Sequence, residues 1–122
     1  MNTLATLAAA LVGLLHAGFL VLEMFLWTSP VGLKAFNLTQ EFAEASKTLA
    51  ANQGLYNGFL AAGLFWGLFT HNTPVVIFFL LCVLVAGVYG GVTVKPSIFL
   101  IQALPAAVAL ALTLLARRAD GT

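Results

Sequence analysis

The chain has 122 residues, of which 61% are hydrophobic and 7% carry a charged side chain, with a formal net charge of +1. A soluble domain carries roughly 25% charged residues, so this composition excludes a soluble globular protein and indicates an integral membrane protein. The small net charge predicts no nucleic-acid partner, because phosphate binding requires a clustered basic face. The single cysteine, Cys82, excludes an intrachain disulfide and a cysteine-based metal cluster.

Four apolar runs follow one another along the chain, each about 20 residues long, which is the length that a helix needs to cross a bilayer. They extend over residues 4–27, 49–69, 74–94 and from 96 or 97 to 116. At about 1.5 Å per residue, each run spans a hydrocarbon core of about 30 Å. Because the runs use most of the chain, we expect residues 1–122 to form a single transmembrane domain.

The short connections predict how the helices are arranged. Tight turns at residues 71–74 and 95–97 each contain a proline, which suits the first turn of the helix that follows. Connections this short force neighbouring helices to run in opposite directions. The predicted fold is therefore all-α, an integral membrane four-helix antiparallel bundle.

The first connection is longer and predicts a short amphipathic segment between helices one and two. Thr39 followed by residues 42–49 has the pattern of a capped helix, in which Glu44 and Lys47 form an i,i+3 pair. We expect this segment to lie on the membrane surface and to run into helix two.

Glu23 is an ionisable residue inside the first apolar run, which contains no Lys or Arg. A carboxylate at such depth is costly unless it is protonated, paired or hydrated, so an intramembrane acid is a hypothesis for a functional site. His16 precedes it by seven residues, which places the two on nearly one face but about 10.5 Å apart along the axis. That separation is too large for one metal ion, so no metal site is predicted.

Polar residues of the other helices fall at one depth when the chain reversals are followed. This pattern predicts a polar pocket on the side of the membrane that carries the first and third loops. The predicted ligand-binding or proton-coupling residues are His16, Glu23, Trp27, Asn52, Gln53, Tyr56, Asn57, Tyr89 and Gln102.

Small residues and a proline predict how the helices pack. The Gly54-x-x-x-Gly58 pattern and the glycines at 87, 90 and 91 indicate close approach of helix backbones. Pro105 removes one backbone hydrogen bond and predicts a kink beside Gln102.

Several of these residues occur in sequence blocks that resemble a known family. The blocks are His16 with residues 23–27, residues 51–61 with their Asn-Gln-Gly-Leu-Tyr-Asn-Gly core, residues 86–90, and residues 102–106. Together they are similar to the small four-helix membrane family known as domain of unknown function 1304 (DUF1304). The resemblance implies four transmembrane helices and no established activity.

Three functions fit these observations. The first is binding or transport of a small, partly apolar or cationic molecule, with Glu23 exchanging a proton for a cation. The second is a structural or accessory subunit whose polar residues hold the helices together. The third is an intramembrane enzyme that uses Glu23 or His16 as acid or base on a lipid-soluble substrate, although no catalytic motif specifies a reaction.

The expected partners are the lipid bilayer and a small-molecule ligand, and no cofactor is predicted. A homo-oligomer is expected if the chain transports its ligand, because four helices enclose little space. We expect the chain to lie in the cell (inner) membrane of a bacterium. Its orientation stays open, because three lysines on one side are balanced by Arg117 and Arg118 on the other.

Overall fold

The computed structural model describes residues 1–121, and this part of the chain is all-α with no strand. Five α-helices and one π-helix follow one another: α1 (Thr3–Met24), α2 (Pro30–Phe36), α3 (Gln40–Phe69), α4 (Thr73–Thr93), the π-helix (Phe99–Ala103) and α5 (Leu104–Ala119). The prediction of an all-α protein is confirmed. The predicted count of four helices differs from the structure because the first connection is itself helical.

Three stretches of the described chain are long and apolar enough to cross a membrane: Thr3–Met24, Thr73–Thr93 and Phe99–Ala119. Helix α3 is outside this set because charged residues occupy its first turns and three amides, at positions 52, 53 and 57, lower the hydropathy of the rest. The fourth span and the complete transmembrane bundle therefore stay predictions.

Large apolar side chains are exposed along these spans. Leu7 and Leu14 of α1 are each 62% exposed, and Phe78 of α4 is 59% exposed. Hydration of so much apolar surface is unfavourable, whereas contact with lipid chains is not. These helices are compatible with a membrane protein.

The first connection folds as α2 and as the beginning of α3. Helix α2 begins after Ser29, whose Oγ accepts a hydrogen bond from the Gly32 amide. It ends at Phe36, and Asn37 caps it in the left-handed region with φ 53°. Helix α3 begins after Thr39, whose Oγ1 accepts a hydrogen bond from the Phe42 amide. The predicted cap at Thr39 is confirmed, and the amphipathic segment is the first part of α3 rather than a separate element.

The described residues form two compact units, one comprising Leu14–Phe59 and a larger one comprising residues 1–13 and 60–121. The core of the larger unit draws on α1, α3, α4 and α5 and consists of Ala9, Val12, Leu64, Val76, Leu80, Val83, Ala106 and Ala109. All eight side chains are apolar, so burial of hydrocarbon and close packing hold this unit together. The prediction of a single domain stays a prediction.

Glycines of α4 allow the π-helix to pack closely against it. A Cβ at Gly87 would lie 2.5 Å from the Ala103 amide nitrogen, and a Cβ at Gly91 would overlap the Phe99 ring. The close packing predicted at these glycines is confirmed.

Pro105 accounts for the π-helix that precedes it. A proline has no N–H, and its ring clashes with the carbonyl four residues earlier in an α-helix. The amide of Leu104 donates instead to the Phe99 carbonyl, five residues earlier, which accommodates one extra residue in the turn. The distortion predicted beside Gln102 takes the form of a π-helix that includes Gln102.

Candidate functional site

Glu23 is near the end of α1 and is only 9% exposed. Its Oε1 accepts a hydrogen bond of 2.5 Å from Nδ2 of Asn57, which is buried as well. The bond joins α1 to α3 inside the Leu14–Phe59 unit. The structure thus brings together two of the predicted site residues, and their functional role stays a prediction.

Two glycines of α3 explain how Asn57 reaches Glu23. A Cβ at Gly54 would lie 2.7 Å from Cγ of Met24 and 3.0 Å from Cβ of Glu23. A Cβ at Gly58 would likewise overlap the side chain of Leu20. The close approach predicted from this glycine pair is confirmed, and it places the backbone of α3 directly against α1 at the level of Glu23.

A cleft of about 320 Å³ opens beside Glu23. Its lining combines a carboxylate, an indole, a thioether, an ammonium and hydroxyl groups, from Glu23, Met24, Phe25, Trp27, Thr28, Lys47, Thr48 and Ala51. All of these residues belong to the Leu14–Phe59 unit. A carboxylate and the face of an aromatic ring both attract cations, and two residues that carry such groups, Glu23 and Trp27, line this cleft.

Trp27 is held in a fixed orientation at the cleft. Its Nε1–H donates a hydrogen bond of 3.0 Å to Oγ of Ser46. Its ring lies 4.8 Å from the ring of Phe36, at an interplanar angle of 47°. Contacts with both α2 and the first part of α3 therefore fix the indole beside the cleft.

Lys47 also lines the cleft, and its charge is offset by a neighbouring carboxylate. Its Nζ lies 3.6 Å from Oε2 of Glu44, so the predicted i,i+3 pair is confirmed. Both side chains are more than half exposed, at 63% and 52%, and a pair this exposed is weak. Lys47 is thus an exposed cation of the lining that is paired with Glu44.

His16 is completely buried in the same unit. Its ring packs edge-on against the ring of Phe19, with the centroids 5.1 Å apart. It does not line the cleft. The assignment of His16 to the ligand site stays a prediction.

The other predicted site residues lie outside the cleft. On α3, Asn52, Gln53 and Tyr56 are exposed, and the Tyr56 ring contacts Phe59 at 5.8 Å. In the larger unit, Tyr89 is 71% exposed on α4 and Gln102 is half-buried in the π-helix. Their assignments to a ligand site stay predictions.

Sequence reasoning missed the part of the cleft that comes from the beginning of α3. Lys47, Thr48 and Ala51 line it. Lys47 and Thr48 belong to the segment that was expected on the membrane surface, and Ala51 to the second apolar run. The helical period provides the missing signal, because positions 57, 54, 51 and 47 recur every three or four residues and therefore share one face.

Metal-ligating side chains do not cluster in the described part of the chain. Among residues 1–121, no group of three His, Cys, Asp or Glu side chains is placed to hold a metal ion. The expectations of no metal and no cofactor stay predictions.

Comparison with known proteins identifies the family. The family described as "Protein of unknown function (DUF1304)" matches residues 10–114. The chain belongs to this family. The chain is also similar to the uncharacterized protein YpaA of Lactococcus lactis subsp. lactis (strain IL1403), with 32% identity over 106 residues that cover 84% of this chain and 89% of YpaA. No solved structure matches.

The DUF1304 match confirms the resemblance that the sequence blocks indicated. The matched range includes Glu23, Asn57 and every residue of the cleft. The family is uncharacterised, so the chemistry of the cleft has to be inferred from its geometry.

Proposed function

We propose that this DUF1304 protein is a multi-pass membrane protein that binds a small, partly apolar organic cation in the cleft beside Glu23. The observation that supports this function best is that Glu23 and Trp27 line the same space of about 320 Å³. The carboxylate provides the opposite charge, and the indole face adds attraction for the same cation. Both attractions for the cation are stronger where water is scarce.

The hydrogen bond from Asn57 orients the carboxylate without saturating it. An ionised carboxylate has about four acceptor sites, and Asn57 occupies one of them on Oε1. The remaining acceptor sites are sufficient for an ammonium group. Asn57 is therefore a positioning residue, and Glu23 is the residue that contacts the ligand.

The rest of the lining defines the apolar part of the ligand. Met24, Phe25 and Ala51 present hydrocarbon and a thioether to the cleft. A flexible methionine side chain adapts to ligands of different shape. We therefore propose an ammonium compound with hydrocarbon substituents rather than an inorganic cation.

Binding becomes transport if Glu23 exchanges the cation for a proton. A homo-oligomer is then expected, because a chain of this size encloses little space for a path across the bilayer. The proposed location is the cell membrane of a bacterium, spanned by the apolar helices.

The Glu23–Asn57 hydrogen bond supports a second candidate, in which the polar pair only fastens α1 to α3. Interhelical hydrogen bonds of this kind stabilise membrane proteins by roughly 0.6 to 2 kcal/mol. In that case, loss of the Glu23 charge would change neither a ligand affinity nor an activity, and only disruption of the bond would matter.

Calorimetric titration with phenyltrimethylammonium in a neutral detergent separates the two candidates. Glu23→Gln keeps an oxygen that accepts from Asn57 but removes the charge. We therefore expect a folded protein whose dissociation constant rises about tenfold or more, because the Coulomb attraction between the carboxylate and the quaternary ammonium group is lost. Glu41→Gln is the matched control, since it removes the same charge from an exposed residue outside the cleft. Its affinity is expected to equal that of the wild type.

Equal affinity of the wild type and Glu23→Gln for phenyltrimethylammonium would refute the cation site. An equal loss of affinity in Glu23→Gln and Glu41→Gln would show only a general effect of the net charge. Circular dichroism checks that each variant is folded. If Glu23→Gln does not fold, Trp27→Leu is the second test, because it removes the aromatic face and leaves the carboxylate in place.

A further inference from the structure

One face of the first part of α3 is exposed along its length. Its side chains recur at alternating steps of three and four residues, which is the heptad spacing of helices that pair along a seam. The seam consists of Phe42, Ala45, Leu49, Asn52, Tyr56 and Phe59, all of them exposed. It ends at Phe59, because Gly63 at the next heptad position is buried against the ring of Phe79. This face thus has the pattern of a helix that pairs with another helix.

Lipid chains do not account for the beginning of the seam. Phe42 and Leu49 are 57% and 76% exposed. Glu41, Glu44 and Lys47 occupy the same turns of α3, which is outside the set of apolar spans. Because charged side chains keep these turns out of the hydrocarbon core, water or headgroups surround Phe42 and Leu49 in a single chain. Large apolar side chains exposed at that level mark a contact surface.

Asn52 is the polar member of the seam. A single asparagine at a seam position fixes the register of paired helices, and its carboxamide both donates and accepts hydrogen bonds. Two copies related by a twofold axis bring the same residue together on that axis, where one carboxamide pairs with the other. A hydrocarbon surface, in contrast, leaves such an amide without a hydrogen-bond partner. Asn52 therefore favours a second copy of this chain as the occupant.

The residues that flank the seam suit a parallel pair of identical helices. In such a pair, a residue at one edge of the seam faces the residue five positions later on the other copy. The facing pairs are Glu41 with Ser46, Thr48 with Gln53, and Leu55 with Leu60. None of these pairs opposes like charges, one joins two hydrogen-bonding side chains, and one joins two apolar side chains.

We propose that this seam is the interface between two copies of the chain, with α3 parallel to α3 and Asn52 facing Asn52 across a twofold axis. Helix α3 is continuous over Gln40–Phe69, so pairing does not require a helix to form first. Thr48 flanks the seam and also lines the cleft beside Glu23, so the second copy lies next to that cleft. The interface rests on the seam alone and does not depend on the cation site.

Oxidative cross-linking of the purified protein in phosphatidylcholine vesicles tests this interface. In a Cys82→Ser background, Ala45→Cys places a thiol on the seam. Glu44→Cys is the matched control, because it is the adjacent exposed position, rotated by about 100° around the same helix. With copper phenanthroline at a low ratio of protein to lipid, we expect Ala45→Cys to form a disulfide-linked dimer and Glu44→Cys to stay mainly monomeric.

A second pair of substitutions tests the position of Asn52. Asn52→Asp, made in the Ala45→Cys chain, places two like charges on the proposed axis, so we expect the association constant to fall at least about tenfold. Gln53→Glu adds the same charge one residue away, where it faces Thr48 of the second copy, and is expected to leave the association constant nearly unchanged. The fraction of cross-linked dimer over a series of protein-to-lipid ratios measures both.

Equal cross-linking of Ala45→Cys and Glu44→Cys would indicate random collision and would overturn the proposal. Leu49→Cys is the second seam variant, and absence of a dimer from both it and Ala45→Cys would assign the face to lipid instead. An equal loss of dimer in Asn52→Asp and Gln53→Glu would overturn the pairing of Asn52 with Asn52. Circular dichroism checks that each variant is folded.

Discussion

At the scale of single residues, the hydrogen bond between Glu23 and Asn57 determines whether a substitution tests the charge of Glu23 or the stability of the fold. Both side chains are buried, and the amide of Asn57 donates to the carboxylate. A glutamine at position 23 keeps an acceptor for that amide, so it changes charge and leaves the contact. An alanine at position 57 removes the donor of this hydrogen bond and leaves the Glu23 carboxylate buried. This substitution therefore changes the stability of the fold.

We expect Asn57→Ala to lower the free energy of unfolding by about 1 to 3 kcal/mol, because a buried acceptor loses its partner. Asn52→Ala is the matched control on the same helix, where the side chain is exposed, and its effect should stay within about 0.5 kcal/mol. Denaturation followed by circular dichroism in one detergent measures both. Equal effects of the two substitutions would show that the Glu23–Asn57 bond contributes no measurable stability.

At the scale of helices, glycine positions decide which backbones approach closely. Gly87 faces backbone atoms of Ala103, and a Cβ there would lie 2.5 Å from its nitrogen and 2.8 Å from its Cα. A Cβ at Gly18 of α1 would have no atom within 4 Å beyond its chain neighbours and the adjacent backbone of its own helix. Replacing each of these two glycines by alanine therefore separates the effect of helix packing on stability from the effect of intrinsic helix propensity.

Gly87→Ala is expected to destabilise the protein by about 1 to 3 kcal/mol, because α4 and the π-helix must move apart. Gly18→Ala is expected to stabilise it by up to about 1 kcal/mol, because alanine loses less conformational entropy than glycine in a helix. The midpoint of denaturation should thus shift in opposite directions. A shift in the same direction for both variants would contradict the packing at Gly87.

Hydropathy predicts three of the helices closely and misplaces the beginning of another. The run at residues 74–94 corresponds to α4, and the first run differs from α1 by a few residues at its end. Helix α3, in contrast, begins at Gln40, well before the apolar run at residue 49. Hydropathy reports the depth of a residue in the membrane, whereas backbone hydrogen bonds continue through charged turns, and the cap at Thr39 marks the true beginning.

Hydropathy reports depth but not which face of a helix is buried, and this explains which part of the candidate site was predictable. Chain reversal was enough to place Glu23 and Asn57 at one depth, but not to say which face of α3 is buried. Small residues mark that face, since Ala50, Gly54 and Ala61 are buried with Asn57 at helical spacing. Gln53 and Tyr56 lie on other faces and are exposed.

At the scale of the whole chain, polar chemistry is confined to a few places on an apolar surface. The Leu14–Phe59 unit has the cleft beside Glu23, and the larger unit has a cleft at the turn between α3 and α4. The spans between the charged turns expose mainly hydrocarbon, which is suited to lipid contact. The proposed cation site therefore lies within the Leu14–Phe59 unit.

Carboxyl carbon NMR of the detergent-solubilised protein tests the cation site most directly. The chain contains three glutamates, at positions 23, 41 and 44, so selective ¹³C labelling of glutamate gives three side-chain carboxyl signals, and Glu23→Gln assigns one of them. We expect phenyltrimethylammonium to shift the Glu23 signal saturably and to leave the Glu41 signal unchanged, whereas tert-butylbenzene, a neutral compound of the same shape, leaves the Glu23 signal in place. A Glu23 signal that stays fixed throughout the titration, or that moves equally with the neutral compound, would contradict the proposed function.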